Sequence, residues 1–352
     1  METPTCNEPS SQIVSRIETA ILKITSDIGS CTLPSLYADG RQRLSETNST
    51  IFVAVVCVLA EAHRLIQEGR YITKRDFYYQ YKDELGLKEE TVDRAIAHAC
   101  QIIRCRREKL NIIATAKGLL FGNLKLKLNT GVVLDLAANE GGTVIPDHIG
   151  CIESFGELSE LNIVVIVEKH AIFQRLCCSK FVQHFKTEHK VQILLVTAKG
   201  YPDINTRVFL RRLYDERSCV QTAGKVQFCC ITDSNPHGVE IATTYAFGPT
   251  VGNVMTEDLH VPGLKWLGLK PTFVRQLRLP SAVKLSKRDI SKCQCLLKRL
   301  KVNADETFRS ELNAFQVFGV KAELEALDHV APDYLEKVWL VESVLKCLKE
   351  EE

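Results

Sequence analysis

The sequence predicts an N-terminal winged-helix (CAP-like) domain followed by a doubly wound α/β domain with a mostly parallel sheet. Three helical stretches between residues 49 and 103 precede a basic two-stranded pattern over 110–128. From residue 161 to 247, β-branched runs alternate with helical stretches in the order βαβαβα, which suits a sheet covered on both faces. The chain of 352 residues is long enough for each part to bury its own core. The expected division is 1–48 for a helix and linker, 49–150 for the winged helix, and 151–352 for the α/β domain with a helical C-terminal extension.

Each element has its own signal. Ile13, Ile17, Ile21, Ile24 and Ile28 recur at helical spacing over residues 11–28, a stripe suited to the protein body or to a partner helix. Residues 29–48, rich in Gly and Ser and containing Pro34, read as a linker. Residues 49–68 form an apolar helix stopped by Gly69. Its longest uninterrupted apolar run, 51–60, is half of the roughly 20 residues that cross a bilayer, so a buried helix and no membrane are expected. Thr73, with Asp76 three positions on, gives a capping-box signal for a short helix carrying Tyr78, Tyr79 and Tyr81. Over residues 90–103, Val92, Ile96, Ala99, Cys100 and Ile103 share one helical face. Residues 110–114 and 119–128, joined through Lys117 and Gly118, make the ribbon, and 131–149 adds strands around a Gly141–Gly142 turn. Strands follow at 161–167, 191–197 and 225–231, with helices at 171–178, 207–216 and 238–247.

Charge and cysteine usage exclude several classes. The net charge is +2, so a DNA-binding footprint has to be local. Arg94, Arg104, Arg106, Arg107, Lys109, Lys117, Lys125 and Lys127 are opposed in sequence by Glu108 alone, and residues 270–301 are similarly basic around Asp289. Such patches neutralise backbone phosphates, or are solvated faces. The 14 cysteines include no C-x-x-C pair, so a zinc ribbon or finger is not expected. Cys57, Cys229 and Cys230 sit in apolar runs and read as reduced core residues. Residues 1–7 are polar, with no apolar secretion signal. The chain has neither a Walker loop nor a G-x-G-x-x-G after a strand, which removes support for nucleotide hydrolysis and dinucleotide binding.

Ligands of doubly wound sheets bind beyond the carboxyl ends of the strands. Glu168, Lys199 and Asp233 are the polar residues there. Glu168 and Asp233 are candidates for Mg²⁺, which takes oxygen ligands and retains waters; capping the following helices is the other reading. The run Arg75-Asp76-Phe77-Tyr78-Tyr79-Gln80-Tyr81 supplies phenols. A phenol, with a pKa near ~10, needs a base, a cation or a metal to act as a nucleophile, and Lys74 and Arg75 carry positive charge beside it. Gly200 permits close backbone approach to a ligand, and Lys199 can reach a phosphate.

In order and spacing these stretches resemble one family. Thr-Lys-Arg-Asp-Phe-Tyr-Tyr (73–79) is similar to the nucleophile motif of the topoisomerase VI A protein and its meiotic relatives (Spo-eleven). Val167-Glu168-Lys169 with Phe173-Gln174-Arg175-Leu176, the segment Lys199 to Asp203, and Asp233-Ser234-Asn235-Pro236-His237-Gly238 resemble the motifs of its Toprim domain. Lys117-Gly118, Gly122-Asn123-Leu124, Val261-Pro262 and Trp266-Leu267-Gly268-Leu269 also match, so the likeness runs from about residue 49 to 341. The resemblance implies a nuclear, chromosome-associated enzyme that starts meiotic recombination by breaking duplex DNA. It implies Tyr79 as nucleophile, Arg75 as the first choice of helper, and Mg²⁺ on Glu168, Asp233 and Asn235. Lys74, Arg104, Arg106, Arg107, Lys117 and Lys199 are the expected DNA contacts. The implied product is a 5′-phosphotyrosyl bond, made by a homodimer or a heterodimer with a related A-type chain. The implied further partner is a topoisomerase VI B-like subunit, with the helix at 11–28 as its candidate dock. Asn235 stands where the family usually has aspartate, His170 replaces a usual Asp, and Ala198 a usual Gly. The loss of charge at Asn235 leaves open a catalytically weakened DNA-binding paralogue, and a somatic topoisomerase VI A-type protein is a further alternative.

Overall fold

The structure, a computed structural model, describes residues 9–37, 39–40, 42–219, 226–248, 259–300 and 306–349. The polar start at 1–7, Lys225, Lys301 and the closing glutamates lie outside the described residues. The chain divides into two compact units at Thr115/Ala116.

The first unit is helical. It contains α1 (Ser10–Gly29), α2 (Ser49–Glu68), β1 (Ile72–Thr73), α3 (Lys74–Leu85), α4 (Glu89–Ile102) and β2 (Ile112–Ile113), with β1 and β2 pairing in parallel. By length and composition alone α2 could cross a membrane. Here its Ala54, Val55, Val58, Leu59, Ala62 and Leu65 are wholly buried, in one core with Ile13 and Ile17 of α1, Phe77 of α3, and Val92, Ile96 and Ala99 of α4. The isoleucine stripe of α1 is thereby consumed within its own unit, apart from half-buried Ile21 and Ile28, which is 58% exposed. Gly69 ends α2 in the left-handed conformation, at φ 62°, where a side chain would be strained.

The second unit carries β3 (Leu119–Gly122), β4 (Lys125–Leu128), β5 (Val133–Asp135), β6 (Thr143–Val144), β7 (Ile152–Gly156) and β8 (Leu161–Val167). There follow α5 (His170–Cys178), α6 (Phe181–His184), β9 (Gln192–Thr197), α7 (Ile204–Ser218), β10 (Gln227–Ile231), α8 (Pro236–Phe247) and β11 (Lys265–Trp266). The chain closes with α9 (Pro271–Leu277), β12 (Val283–Lys284), α10 (Lys287–Arg299), α11 (Glu306–Phe318), β13 (Val320–Lys321) and α12 (Leu340–Lys349). Six strands form one sheet in the order β11-β10-β8-β9-β3-β6. The first four are mutually parallel, while β3 runs antiparallel to both β9 and β6. Alternation along β8 sends Val164 and Ile166 into a core with Phe209 and Leu213 of α7 and Val239 of α8. Ile163, Val165 and Val167 enter the opposite core, with Phe173 and Leu176 of α5 and Val344 of α12. From β8 the chain passes to β9 on one side, then crosses to β10 on the other. That reversal makes the carboxyl ends of β8 and β10 the topological switch point, where such sheets open a crevice.

Two sequence expectations change. The boundary falls near 115, not 150, and the ribbon over 119–128 is not a wing of the helical unit. Leu119 and Phe121 fill one core of the second unit and Leu120 the other, so β3 is a strand covered on both faces. At Gly122 a Cβ would meet the Ile193 carbonyl oxygen at 2.2 Å, so β3 passes too close to β9 there for a side chain. β4 instead joins β5 and β7 in a separate antiparallel sheet. Its lysines are also not bare: Lys125 pairs with Glu157 at 2.7 Å and Lys127 with Glu153 at 2.9 Å.

Candidate active site

The tyrosine helix is built from its first turn. Thr73 Oγ1 accepts the Asp76 N–H at 3.1 Å, and Asp76 Oδ2 accepts the Thr73 N–H at 3.1 Å, closing a reciprocal cap. Phe77, with no exposed surface, pins α3 to the core, and Gly86 at φ 59° ends it. Helical spacing then places Arg75 and Tyr79 on one face. Arg75 Nη2 donates to the Tyr79 hydroxyl at 3.3 Å, and its guanidinium lies 5.6 Å from the ring centroid. Lys82 Nζ lies 5.0 Å from the same centroid. Tyr79 is 47% exposed, whereas Tyr78 is half-buried against the core of the unit. The outcome is one accessible phenol with two cations beside it. Lys74 faces elsewhere, pairing with Asp93 at 3.1 Å.

The acidic edge lies in the second unit. Glu168 follows β8, and its Oε2 accepts the Asp233 N–H at 3.0 Å. Asp233 follows β10; its Oδ1 accepts the Leu324 N–H at 2.8 Å, and its Oδ2 lies 3.5 Å from Lys169 Nζ. Burial, and next the repulsion of Asp233, push the Glu168 carboxyl up to about 7, against the Asp233 N–H and the Lys169 charge. Burial also raises Asp233, against the Leu324 N–H and Lys169. Asn235 has another duty: its Oδ1 accepts the Gly238 N–H at 2.8 Å and caps α8.

The other candidate contacts are spread over both units. Arg104, exposed with φ 49°, and half-buried Arg106 and Arg107 follow α4 in the first unit. Lys117 and Lys199 are exposed in the second. Lys199 adopts φ 56°, and its N–H reaches Thr197 Oγ1 at 3.1 Å. The next residue, Gly200, donates its N–H to the Glu168 carbonyl at 2.9 Å, which ties this loop to the acidic edge.

Sequence reasoning gave no role to several groups at this edge. Lys169 Nζ bonds Glu323 at 3.0 Å and Glu325 at 2.8 Å. The Tyr201 hydroxyl donates to Glu240 at 2.5 Å and lies 2.8 Å from His237 Nδ1, while Lys292 pairs with Glu240 at 2.5 Å. Tyr201 and His237 were visible within the motifs. Glu323 and Glu325 carried no signal, because an antiparallel bridge between Ser234 and Ala322 is what brings them in.

Comparison with known proteins agrees with this division. The Toprim-domain family of the topoisomerase 6 A protein and Spo11 matches residues 163–344, and the family described as "Type IIB DNA topoisomerase" matches 50–112. The chain is 30% identical over 315 residues to the meiotic recombination protein SPO11 of Homo sapiens, covering 89% of this chain and 74% of that protein. It is 31% identical over 290 residues to the meiotic recombination protein SPO11-1 of Oryza sativa subsp. indica, with 82% and 72% covered. Against the A protein of DNA topoisomerase 6 from Arabidopsis thaliana it is 30% identical over 288 residues, with 80% and 63% covered. The chain therefore belongs to the topoisomerase 6 A/Spo11 family of topoisomerase-like transesterases that form DNA double-strand breaks.

Proposed function

We propose that this chain itself cuts duplex DNA in the nucleus to initiate meiotic recombination, with Tyr79 as the nucleophile. The observation that carries the reading is the Arg75–Tyr79 hydrogen bond of 3.3 Å on a capped helix, at an exposed phenol. The Tyr79 oxygen attacks a backbone phosphorus and loses its proton. The bond from phosphorus to the 3′-oxygen breaks, that oxygen takes up a proton, and a 5′-phosphotyrosyl link remains. Arg75 stabilises the phenolate as it forms and then faces the phosphate, where a positioned cation lowers the barrier. Lys199, on the loop tied to Glu168, is read as a further phosphate contact. Lys74, Arg104, Arg106, Arg107 and Lys117 are read as backbone contacts, which position DNA without reading its sequence.

The acidic edge suits Mg²⁺. Glu168 and Asp233 are oxygen donors whose carboxyls are raised by burial first, then by the repulsion of Asp233 on Glu168 and of Glu325 and Glu323 on Asp233, a shortage of positive charge that a hard dication relieves. Among the described residues no group of three or more His, Cys, Asp or Glu is placed so that it could hold a metal ion; Mg²⁺ bound by one or two carboxylates keeps waters and phosphate oxygens as its other ligands. Bound there, it would neutralise charge on the phosphate and the leaving oxygen. Asn235 serves this edge as the cap of α8. We read α2–α4 as the DNA-facing, winged-helix-type core of the first unit. Cutting both strands calls for two such chains, as a homodimer or with a related A-type chain, and a topoisomerase VI B-like protein is the proposed further partner.

The test is a covalent-complex trap. The protein is immunoprecipitated from meiotic cells under denaturing conditions and attached DNA is end-labelled. Label lost in Tyr79→Phe and kept in Tyr78→Phe supports the reading. Loss in Tyr78→Phe alone moves the nucleophile by one residue. No label in the wild type, while breaks still form, assigns cutting to another protein and makes this chain the DNA-binding paralogue that Asn235 suggests.

A further inference from the structure

Lys169 sits where a metal's charge would be felt. An ammonium has three N–H donors, and four carboxylate oxygens surround this one: Glu325 Oε2 at 2.8 Å, Glu325 Oε1 at 2.9 Å, Glu323 Oε2 at 3.0 Å and Asp233 Oδ2 at 3.5 Å. The three short contacts go to the C-terminal acids, and the longest to the proposed metal ligand. The acids differ in setting too. Glu323 and Glu325 are 73% and 42% exposed, while the Asp233 side chain is 7% exposed.

The segment bearing these glutamates is fixed. Ser234 N–H donates to the Ala322 carbonyl at 2.8 Å, the Ala322 N–H returns to Ser234 at 3.0 Å, and Leu324 N–H binds Asp233 Oδ1. Asp233 thus has one oxygen committed to the backbone and one, Oδ2, facing the lysine. A metal ion taking Oδ2 meets the Lys169 charge at short range, in a partly buried setting where screening is weak.

We propose that Glu323 and Glu325 set the affinity of the Glu168–Asp233 edge for a divalent cation by holding the Lys169 ammonium away from Asp233. This rests on the metal reading given above. With the two acids present, the ammonium is drawn toward them and its contact with Asp233 Oδ2 stays at 3.5 Å. Without them, the nearest carboxylate for Lys169 is Asp233, and the chain's own cation blocks the site.

The test is Mn²⁺ binding to the full-length chain, read as loss of the free-ion electron paramagnetic resonance signal, with no DNA present. Lys169→Met should bind Mn²⁺ roughly tenfold more tightly, and Glu323→Gln/Glu325→Gln roughly tenfold more weakly. In the Lys169→Met background the two acid substitutions should lose most of their effect, because there is no ammonium left to hold. Lys169→Gln, with unfolding curves taken without metal, separates the charge effect from a folding defect. Equal weakening by the acid substitutions in both backgrounds would overturn the proposal and make the glutamates ligands. So would Lys169→Met or Lys169→Gln binding no tighter than wild type. Glu168→Gln separates the two layers: binding lost there but unchanged by Lys169 sinks only this proposal, and wild type that takes up no Mn²⁺ sinks the metal reading with it.

Discussion

Replacing Glu168 by Gln removes a charge and little else. The amide oxygen can still accept the Asp233 N–H, now 3.0 Å from Glu168 Oε2. The carboxyl, ordinarily at 4.5, is pushed up to about 7 in the fold. At about 1.4 kcal/mol for each pH unit, charging it costs the metal-free folded protein about 3 kcal/mol. The sign follows from proton binding. The folded chain holds this proton more tightly than the unfolded one, so the group's contribution is full below pH 4.5 and is lost as pH rises through about 7. In chelator, Glu168→Gln should therefore be the more stable protein at pH 8, by up to about 3 kcal/mol in urea unfolding or about 6 °C in melting of a unit this size. At pH 4.5 the two proteins should be equal. A variant no more stable than wild type at pH 8, or equally favoured at both pH values, would refute the view that burial, with the repulsion of Asp233, makes charging this edge costly until a cation relieves it.

Other substitutions probe the remaining parts. Arg75→Ala should lower covalent-complex yield about 100-fold without lowering thermal stability, since α3 is held by Phe77 and its cap; equal yield would remove Arg75 from the chemistry. Gly268→Ala would bring a Cβ to 2.2 Å from Trp266 Nε1 and 2.5 Å from Thr232 Oγ1, across their 2.9 Å hydrogen bond. A loss of about 1–3 kcal/mol in urea unfolding is expected. Asn235→Asp keeps the cap of α8, because both residues accept the Gly238 N–H equally well. It should leave melting nearly unchanged and tighten Mn²⁺ binding about tenfold; unchanged binding would mean that Asn235 does not weaken the site.

Much of this was legible in the residues because the signals were local. The strand Leu161–Val167 and the helix Ser49–Glu68 fall on their sequence-read limits, one from a β-branched run and the other from an apolar run ended by glycine. The Thr73–Asp76 cap was readable three residues apart. What failed was pairing. Nothing in Leu119–Gly122 tells a wing from an inner strand of a distant sheet, since one of its partner strands begins only at Gln192. Counting Lys125 and Lys127 as bare charge failed for the same reason, their acids lying at Glu157 and Glu153. At the acidic edge Glu168 and Asp233 were found by their strand ends, but the backbone donor to Asp233 and the acids that hold Lys169 come from the far end of the chain.

That distance has a consequence in time. The tyrosine helix is finished by residue 85, yet Asp233 receives its backbone donor only from Leu324. At the pace of a ribosome, roughly 5–20 residues each second, some 10–50 s separate the synthesis of the two. A nascent or prematurely terminated chain ending before Ala322 would carry the exposed phenol of Tyr79 while its acidic edge lacked both the strap and the acids that restrain Lys169. On the proposed reading, competence to cut is acquired late, and an unfinished copy holds a nucleophile without the completed edge.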